Sequence, residues 1–299
     1  MSIRIILNGK KAGLASVRQA IFAARKHGDI QVRVTWEAGD AGRFVNEAVR
    51  EQCKRIMAGG GDGSVNEIVN ALMQFAADER PELAILPLGT ANDFATACGV
   101  PAEPLEALAL AQNGAARAVD CVKANDSHFI NVATGGFGAQ VTTNTPVALK
   151  NFLGGGAYTL SGLVQALNFS PFQGRVRLPD ETREGEVIVG AVCNGRQAGG
   201  GQILAPNALI DDGLLNVVAL HSFPANAIDL VIRELMDAKI NGKYVSRYCV
   251  PWVEWSSDEI MPINLDGEPM KEKGVRFEVV RKSVRLVVPA DCALLSQHA

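Results

Sequence analysis

The first third of the chain alternates short apolar runs with segments of helical spacing. The runs at 3–8, 31–35, 55–58 and 83–86 have the length and pattern of strands. Helical patterns separate them, and a further one follows near 105–112. Strand–helix–strand alternation at these lengths is typical of right-handed crossovers that build a buried parallel sheet. The pattern therefore predicts an α/β fold for this part of the chain.

From about Cys121 the strand-like runs come closer together and turn signals multiply. Such runs occur at 187–193, 214–220, 245–255, 275–280 and 284–288, and residues 281–283 are few enough to join the last two as a hairpin. Short strands with little helix predict an antiparallel sandwich or barrel. We therefore expect an α/β domain over 1–121, rejoined by the C-terminal tail 289–299, and a β-rich sandwich over 122–288. The expected place for an active site is the cleft between two such domains.

Composition excludes several classes of function. The 29 Lys and Arg residues against 32 Asp and Glu give a net charge of −3, so no basic surface predicts binding to nucleic acid. No apolar run approaches the roughly 18 residues of a transmembrane segment, and the N-terminus reads as a strand instead of a signal peptide. The six cysteines are scattered without a Cys-x-x-Cys pair, which favours small buried side chains in a reducing compartment. We expect a soluble cytoplasmic protein.

The segment most informative about chemistry is 59–67, which reads GGGDGSVNE. It follows a predicted strand and opens a predicted helix. Four glycines within five positions let backbone N–H groups converge, and the helix N-terminus adds partial positive charge, so an anion such as phosphate is favoured there. Ser64 and Glu67 fit the S-x-x-E pattern of a capping box at the helix start. A tight strand–helix turn without a ligand is the alternative.

Asp62 lies inside this glycine loop and changes the chemistry that we expect. A carboxylate repels a bare phosphate, but it becomes useful where Mg²⁺ lies between them or where it orients a reacting hydroxyl. A dinucleotide fingerprint would need glycine in place of Ser64 and an acidic residue at the end of a later strand. P-loop and protein-kinase motifs are absent. The loop therefore favours phosphoryl transfer over hydride transfer.

A second motif, LPLGTANDFA at 86–95, follows the next predicted strand. Together the two motifs resemble the paired signature of the diacylglycerol kinase catalytic-domain family, which includes sphingosine kinases and soluble bacterial lipid kinases. NAD kinases and phosphofructokinases share the glycine loop, whereas the Gly-Thr-x-Asn-Asp-Phe element separates lipid kinases from them. Matching segments at 194–215 and 264–269 extend the resemblance over most of the chain, nearest to lipid kinases of the YegS type. It implies a nucleotide-binding domain like those of NAD kinase and diacylglycerol kinase, a C-terminal β-sandwich, and an active site between them.

The resemblance also implies roles for the glycine loop and for the strand ends beside it. Asp62 and Asp93, with Asp120 as a third candidate, would form an acidic cluster that holds Mg²⁺ through waters; the alternative for Asp93 is a helix N-cap. Thr35 is equally well read as a β-branched residue at a strand end. The residues implied to hold ATP are Thr35, Gly61, Asp62, Gly63, Ser64, Val65, Asn66, Glu67 and Thr90.

Two more positions receive roles in the same way. Asp266-Gly267 is a strong hairpin-turn signal, and the resemblance makes the next residue, Glu268, the general base that takes the proton from a lipid hydroxyl. It also implies a Mg²⁺ or Ca²⁺ ion bound by the Asp212 carboxylate and the backbone carbonyls of Leu209 and Leu214. A plain turn between strands is the alternative for that loop.

The expected function is ATP- and Mg²⁺-dependent transfer of the γ-phosphoryl group to a lipid primary hydroxyl, of a phosphatidylglycerol- or diacylglycerol-like lipid. The alternatives are an NAD-kinase-like enzyme for a soluble alcohol and a catalytically silent protein that binds lipid or nucleotide. The apolar, glycine-rich segment 146–172 either shapes a lipid groove at the membrane surface or packs into its own core. The absence of a polybasic patch predicts only transient membrane contact. The sequence predicts no oligomeric state.

Overall fold

A computed structural model describes residues 2–136, 171–237 and 241–296. Nearly all of the predicted lipid-groove segment 146–172 lies outside these residues. The chain divides into two compact units, one formed by Met1–Cys121 with Arg281–Ala299 and the other by Val122–Val280. The C-terminal segment that returns to the first unit thus begins at Arg281, earlier than the expected residue 289.

The first unit is built on a parallel sheet in the order β2-β1-β3-β4. Its strands are β1 (Ser2–Asn8), β2 (Asp29–Thr35), β3 (Arg55–Gly60) and β4 (Glu82–Pro87). Its helices are α1 (Ala15–Ala24), α2 (Asp40–Arg50), α3 (Asp62–Leu72), α4 (Asp93–Ala97) and α5 (Pro104–Asn113), with a 3₁₀ turn at Gly9–Lys11. The predicted α/β class with a parallel sheet is confirmed.

All six residues of β3 and all six of β4 are buried, as expected for central strands with both faces covered. Because the strands run parallel, their carboxyl ends meet at one edge of the sheet. Asn8 at the end of β1 lies opposite Thr35 of β2, and Gly60 of β3 lies opposite Pro87 of β4. Loops that follow such strand ends are where open α/β sheets bind ligands. Both signature motifs begin at this edge.

The second unit is an antiparallel β structure, as the short strands predict. Its strands, of which the first and last extend past the unit boundaries, are β5 (Ala116–Ala124), β6 (Ser127–Phe129), β7 (Val132–Gly136), β8 (Phe172–Arg177), β9 (Thr182–Val187), β10 (Val189–Cys193), β11 (Gln197–Ala198), β12 (Gln202–Ile203), β13 (Leu215–Leu220), β14 (Val245–Val250), β15 (Trp252–Leu265) and β16 (Glu268–Val287). A helix follows the 3₁₀ turn at Ala225–Ala227, namely α6 (Ile228–Met236). Neighbouring strands follow the order β14-β13-β10-β7-β15-β16, while β8 pairs with β15 and β9.

The predicted hairpin at 281–283 is wrong. Strand β16 runs without reversal from Glu268 to Val287, and its Leu286 pairs in parallel with Leu83 of β4. The backbone N–H of Lys282 donates to Asp120 at 2.7 Å, so this polar stretch bonds to another segment instead of closing a turn on itself. The predicted strand 245–255 is in fact two strands, separated at Pro251.

The cysteines only partly match the expectation that all six are buried. Cys53, Cys98, Cys121, Cys193 and Cys292 are buried, whereas Cys249 is exposed. In the described parts of the chain, no helix is both long and apolar enough to cross a membrane.

Candidate functional site

The glycine loop leads from the buried end of β3 directly into α3. The helix begins at Asp62, and Gly61 in an extended conformation (φ −95°, ψ −168°) is its N-cap. The predicted capping box is therefore wrong, because Ser64 lies inside the first turn of the helix instead of ahead of it. The Ser64 hydroxyl accepts a hydrogen bond from Nδ2 of Asn8 at 3.3 Å, which ties the loop to the end of β1.

The second motif packs directly against this loop. The backbone N–H of Leu88 donates to the carbonyl of Gly60 at 2.8 Å and extends the pairing of β3 with β4. A Cβ atom on Gly89 would lie 2.5 Å from Cα of Gly61, and one on Gly61 would lie 3.1 Å from Cα of Gly89. Real Cβ atoms do not approach other atoms to 2.5 Å, so glycine at position 89 permits this backbone contact. The two motifs are therefore in direct backbone contact.

Asp62 joins the two motifs through its side chain. Its carboxylate accepts hydrogen bonds from the backbone N–H groups of Asp93 at 3.2 Å and Phe94 at 3.1 Å, at the start of α4. Burial raises the pKa of Asp62, and the negative charge of Asp93 raises it further, whereas the hydrogen bond from Phe94 opposes the shift. Asp93 itself is buried. Two carboxylates that repel each other beside a glycine loop are a donor set that suits a divalent cation.

The other residues implied to contact ATP differ in exposure. Thr90 and Glu67 are exposed, and Thr35 is half-buried at the end of β2. Val65 and Asn66 are buried in α3. Gly63 and Ser64 are half-buried. The structure thus gathers the glycine loop, Thr90 and the two aspartates around adjoining strand ends, with Thr35 two strands away along the same edge.

Asp120 has a different environment from the one expected of a third metal ligand. Its side chain is fully buried on β5 and accepts the hydrogen bond from the backbone of Lys282. Across residues 2–136, 171–237 and 241–296, no three His, Cys, Asp or Glu side chains are grouped to hold a metal ion. The expected cluster, in which Asp62, Asp93 and Asp120 would hold Mg²⁺ through waters, therefore stays a prediction, and Asp120 already accepts a backbone hydrogen bond from Lys282.

Glu268 lies in the second unit, where it is the exposed first residue of β16. It pairs with Leu265 across the two-residue loop Asp266-Gly267. Sequence reasoning treated Asp266 only as a turn residue, but its carboxylate is buried and accepts backbone hydrogen bonds from Ile130 and Val132, each at 2.8 Å. An Asp-Gly pair signals a turn and gives no hint of such distant partners. The neighbouring acids therefore have different environments.

The Asp212 loop contains the hydrogen bond of a turn. Oδ1 of Asp212 accepts from the backbone N–H of Leu214 at 3.0 Å, and Gly213 between them has a left-handed φ of +79°. Leu209 and Leu214 are half-buried. These contacts are those of the plain turn, and metal binding at Leu209, Asp212 and Leu214 stays a prediction.

Two family models match the chain. The diacylglycerol kinase catalytic domain matches residues 2–124, and the YegS C-terminal NAD kinase beta sandwich-like domain matches residues 131–288. These matches confirm the resemblance and the expected fold class of each part. The first match also indicates that the chain is a kinase.

Similar proteins cover nearly the whole chain. A protein of Shewanella frigidimarina named "Probable lipid kinase YegS-like" is 49% identical over 99% of this chain and 96% of its own length. A protein of Chromohalobacter salexigens with the same name is 48% identical over 98% and 95%. A crystal structure of a diacylglycerol kinase from Bacillus anthracis superposes with a TM-score of 0.75 at 22% identity, covering 98% of both chains. Another structure from that organism gives a TM-score of 0.79 at 25% identity, covering 97% and 98%.

Proposed function

Because this chain belongs to the diacylglycerol kinase catalytic-domain family, we propose that it is an ATP- and Mg²⁺-dependent lipid kinase. It transfers the γ-phosphoryl group to the primary hydroxyl of a phosphatidylglycerol- or diacylglycerol-like lipid. One contact supports this above all: the backbone approach of Gly61 to Gly89, with Asp62 hydrogen-bonded across it to Asp93 and Phe94. The enzyme acts at the cytoplasmic membrane surface, where ATP and lipid are both available.

The glycine loop supports the proposed binding of the phosphates. The N-terminus of α3 carries partial positive charge, and the helix begins at Asp62 directly after three glycines, Gly59, Gly60 and Gly61, which have no side chains. A Cβ at position 89 would lie 2.5 Å from Cα of Gly61 and would push the second motif away from this loop. Thr35 and Thr90 lie at the sheet edge that ligands of open α/β sheets use, and we assign them to the nucleotide together with residues 61–67.

The acidic pair fits a magnesium ion. Asp62 and Asp93 would hold it, directly or through waters. ATP phosphates would complete its coordination shell, because Mg²⁺ prefers oxygen ligands. When bound, the ion neutralises negative charge on the phosphates and aligns them. A second ion, Mg²⁺ or Ca²⁺, is proposed at Asp212 with the carbonyls of Leu209 and Leu214, where it would stabilise the loop.

Glu268 supplies the proposed general base. Its carboxylate takes the proton of the lipid hydroxyl while that oxygen bonds to the γ-phosphorus and the bond to the ADP oxygen breaks. General-base catalysis contributes about 10²–10⁴-fold, and positioning and charge neutralisation supply the rest. Glu268 is exposed on its hairpin, which suits contact with a substrate that arrives from outside.

The test is to incubate the protein with γ-labelled ATP, Mg²⁺ and total bacterial lipid, and to identify the species that gains label. Wild type should label one lipid class, and Glu268→Gln should lower its turnover by about 10²-fold or more while ATP binding is kept. The control is Glu272→Gln, a half-buried glutamate on the same strand, which should behave as wild type.

Other outcomes would overturn the proposal. Label in NADP when NAD is supplied, with none in lipid, would favour a kinase of a soluble alcohol. ATP binding without any labelled product would favour a silent binding protein. Near-normal turnover by Glu268→Gln would refute the assignment of the base alone.

A further inference from the structure

The hairpin that carries Glu268 is fixed by more bonds than a two-residue turn needs. Asp266 and Gly267 both have left-handed φ values, +51° and +105°, the combination required by the tight turns that suit twisted hairpins. The side-chain oxygen of Asn264 accepts the backbone N–H of Gly267 at 2.7 Å. The backbone immediately before Glu268 is therefore held in one conformation.

Asp266 attaches this turn to a distant segment. Its Oδ2 accepts the N–H of Ile130 at 2.8 Å, its Oδ1 accepts that of Val132 at 2.8 Å, and Asn131 donates to Oδ1 at 3.2 Å. In return, the backbone N–H of Asp266 donates to the carbonyl of Val132 at 3.1 Å. Asp266 is only 8% exposed, and a buried carboxylate that receives several N–H donors is bound tightly.

The segment that receives Asp266 is itself fixed. Nδ2 of the buried Asn194 donates to the carbonyl of Ile130 at 2.7 Å, and the backbone N–H of Asn194 donates to the carbonyl of Asn131 at 2.9 Å. Nδ2 of Asn131 donates in turn to the carbonyl of Gln197 at 2.9 Å. The hairpin is thus joined to a buried polar network.

Glu268 contrasts with these residues. Its side chain is exposed, and within the described part of the chain no hydrogen bond or ion pair holds its carboxylate. The backbone of the turn therefore sets the Cα and Cβ positions from which that carboxylate extends toward the substrate. A general base acts only when it lies within hydrogen-bond reach of the proton it removes, and small displacements cost orders of magnitude in rate.

We infer that Asp266 and Asn264 are positioning residues for the base: they fix the turn so that Glu268 meets the substrate hydroxyl in one geometry. This rests on the proposed role of Glu268 and adds the residues on which that role depends. The competing explanation is that Asp266 only stabilises the second unit.

The chain offers a matched control in the same unit. The carboxylate of Glu234 is also buried and accepts the backbone N–H groups of Lys243, Tyr244 and Val245 at 2.9–3.0 Å. It fixes a segment to which no reacting group is assigned. Asp266→Asn and Glu234→Gln each replace one accepting oxygen by an amide that cannot accept, so both should lower the melting temperature.

The experiment measures kcat and KM with ATP and mixed micelles of diacylglycerol and phosphatidylglycerol, at a temperature where circular dichroism shows each variant folded. Asp266→Asn should lower kcat at least about tenfold with the KM for ATP unchanged, whereas Glu234→Gln should keep kcat. Asn264→Ala, which frees only the N–H of Gly267, should lower kcat severalfold and serves if Asp266→Asn does not fold.

The inference is overturned if folded Asp266→Asn or Asn264→Ala keeps kcat within twofold of wild type, or if Glu234→Gln loses kcat to the same extent. Glu268→Gln is measured in parallel. If it keeps full turnover, the proposed base has failed and its positioning with it. If it is inactive while Asp266→Asn is normal, only the positioning is refuted.

Discussion

The carboxylate of Asp62 accepts a hydrogen bond from the backbone N–H of Phe94 at 3.1 Å. The two residues belong to different motifs, and the pairing of β3 with β4 brings the motifs together. Asp62 thereby accepts hydrogen bonds from the start of α4, and its negative charge lies near that of Asp93. Asp62 thus has two roles, as a hydrogen-bond acceptor for α4 and as a negative charge beside Asp93. A substitution that removes only the charge can separate them.

Replacement of Asp62 by Asn should lower activity strongly without loss of the fold. Burial and the charge of Asp93 raise the pKa of Asp62, so ionised Asp62 is disfavoured in the folded chain. Its contribution to stability therefore falls as pH rises through that pKa, and Asp62→Asn removes this dependence. We expect turnover to fall by about 10²-fold or more, with a melting temperature at pH 7 no lower than that of wild type by more than a few degrees. Scanning calorimetry and the labelled-ATP assay check this, and unfolding at 25 °C would show that the residue is mainly structural.

Gly89→Ala should damage the nucleotide site. The new Cβ would lie 2.5 Å from Cα of Gly61 and 2.7 Å from Oδ1 of Asn92, so the two loops must separate. We expect a rise of about tenfold or more in the Kd for ATP, measured by calorimetry. Gly13→Ala is the control in the same unit, because nothing lies within 4 Å of a Cβ there. Equal ATP affinity in wild type and Gly89→Ala would show that the loop contact has no part in binding.

Glu82 should prove important for stability and irrelevant to catalysis. It lies on β4 between Arg55, whose Nε donates at 2.9 Å, and Arg285 of β16. Burial opposes ionisation of Glu82, but hydrogen bonds and charge from Arg55 and Arg285 outweigh it and lower its pKa. Glu82→Gln leaves the buried guanidinium of Arg55 without its counterion and should lower the free energy of unfolding by roughly 3 kcal/mol.

The pH dependence of this effect has a definite sign. Since the folded-state pKa of Glu82 is lowered, its stabilisation is present above the unfolded value of about 4.3 and is lost as pH falls below it. Urea unfolding should therefore show the gap between wild type and Glu82→Gln closing in acid. The exposed Glu106→Gln should match wild type at each pH. A gap that stays constant down to pH 3 would contradict the role of this carboxylate.

The parts of the fold that could be predicted are those that depend on local sequence patterns. The spacing of apolar residues and the length of the apolar runs predicted the parallel sheet, and the density of glycine predicted the loop at 59–67. The capping box predicted at Ser64 was wrong because S-x-x-E caps a helix only where the helix begins after the serine. Here the N-cap is Gly61, three residues earlier. The hairpin predicted at 281–283 was wrong because the backbone of Lys282 donates a hydrogen bond to Asp120, which is distant in the sequence.

The bonds made by Asp62 and Asp266 lay beyond sequence reasoning for a related reason. Asp266 meets Ile130 across 136 positions of the chain, and Asp62 meets Phe94 across 32. Strand register determines both contacts, and an apolar pattern leaves register open until the neighbouring strand is known. Side-chain type thus indicated which chemistry to expect, whereas the structural partners of these side chains depend on how the strands pair.

Asp40 gives a last prediction, on the turn that follows Thr35. Its carboxylate accepts the backbone N–H groups of Trp36 at 2.7 Å and Glu37 at 3.1 Å and pairs with Arg43 at 2.6 Å. The bond from Trp36, then those from Arg43 and Glu37, lower the pKa of Asp40 to about 2. Its stabilisation is therefore complete above the unfolded pKa of about 3.9 and is lost as pH falls through about 2. Asp40→Asn should melt a few degrees below wild type at pH 7. Thermal scans should show this difference in melting temperature vanishing between about pH 4 and pH 2. The control is Asp29→Asn at an exposed position, which should melt at the wild-type temperature at pH 7. If the difference for Asp40→Asn persists unchanged at pH 2, the ionised carboxylate does not hold this turn, and shape alone accounts for the loss.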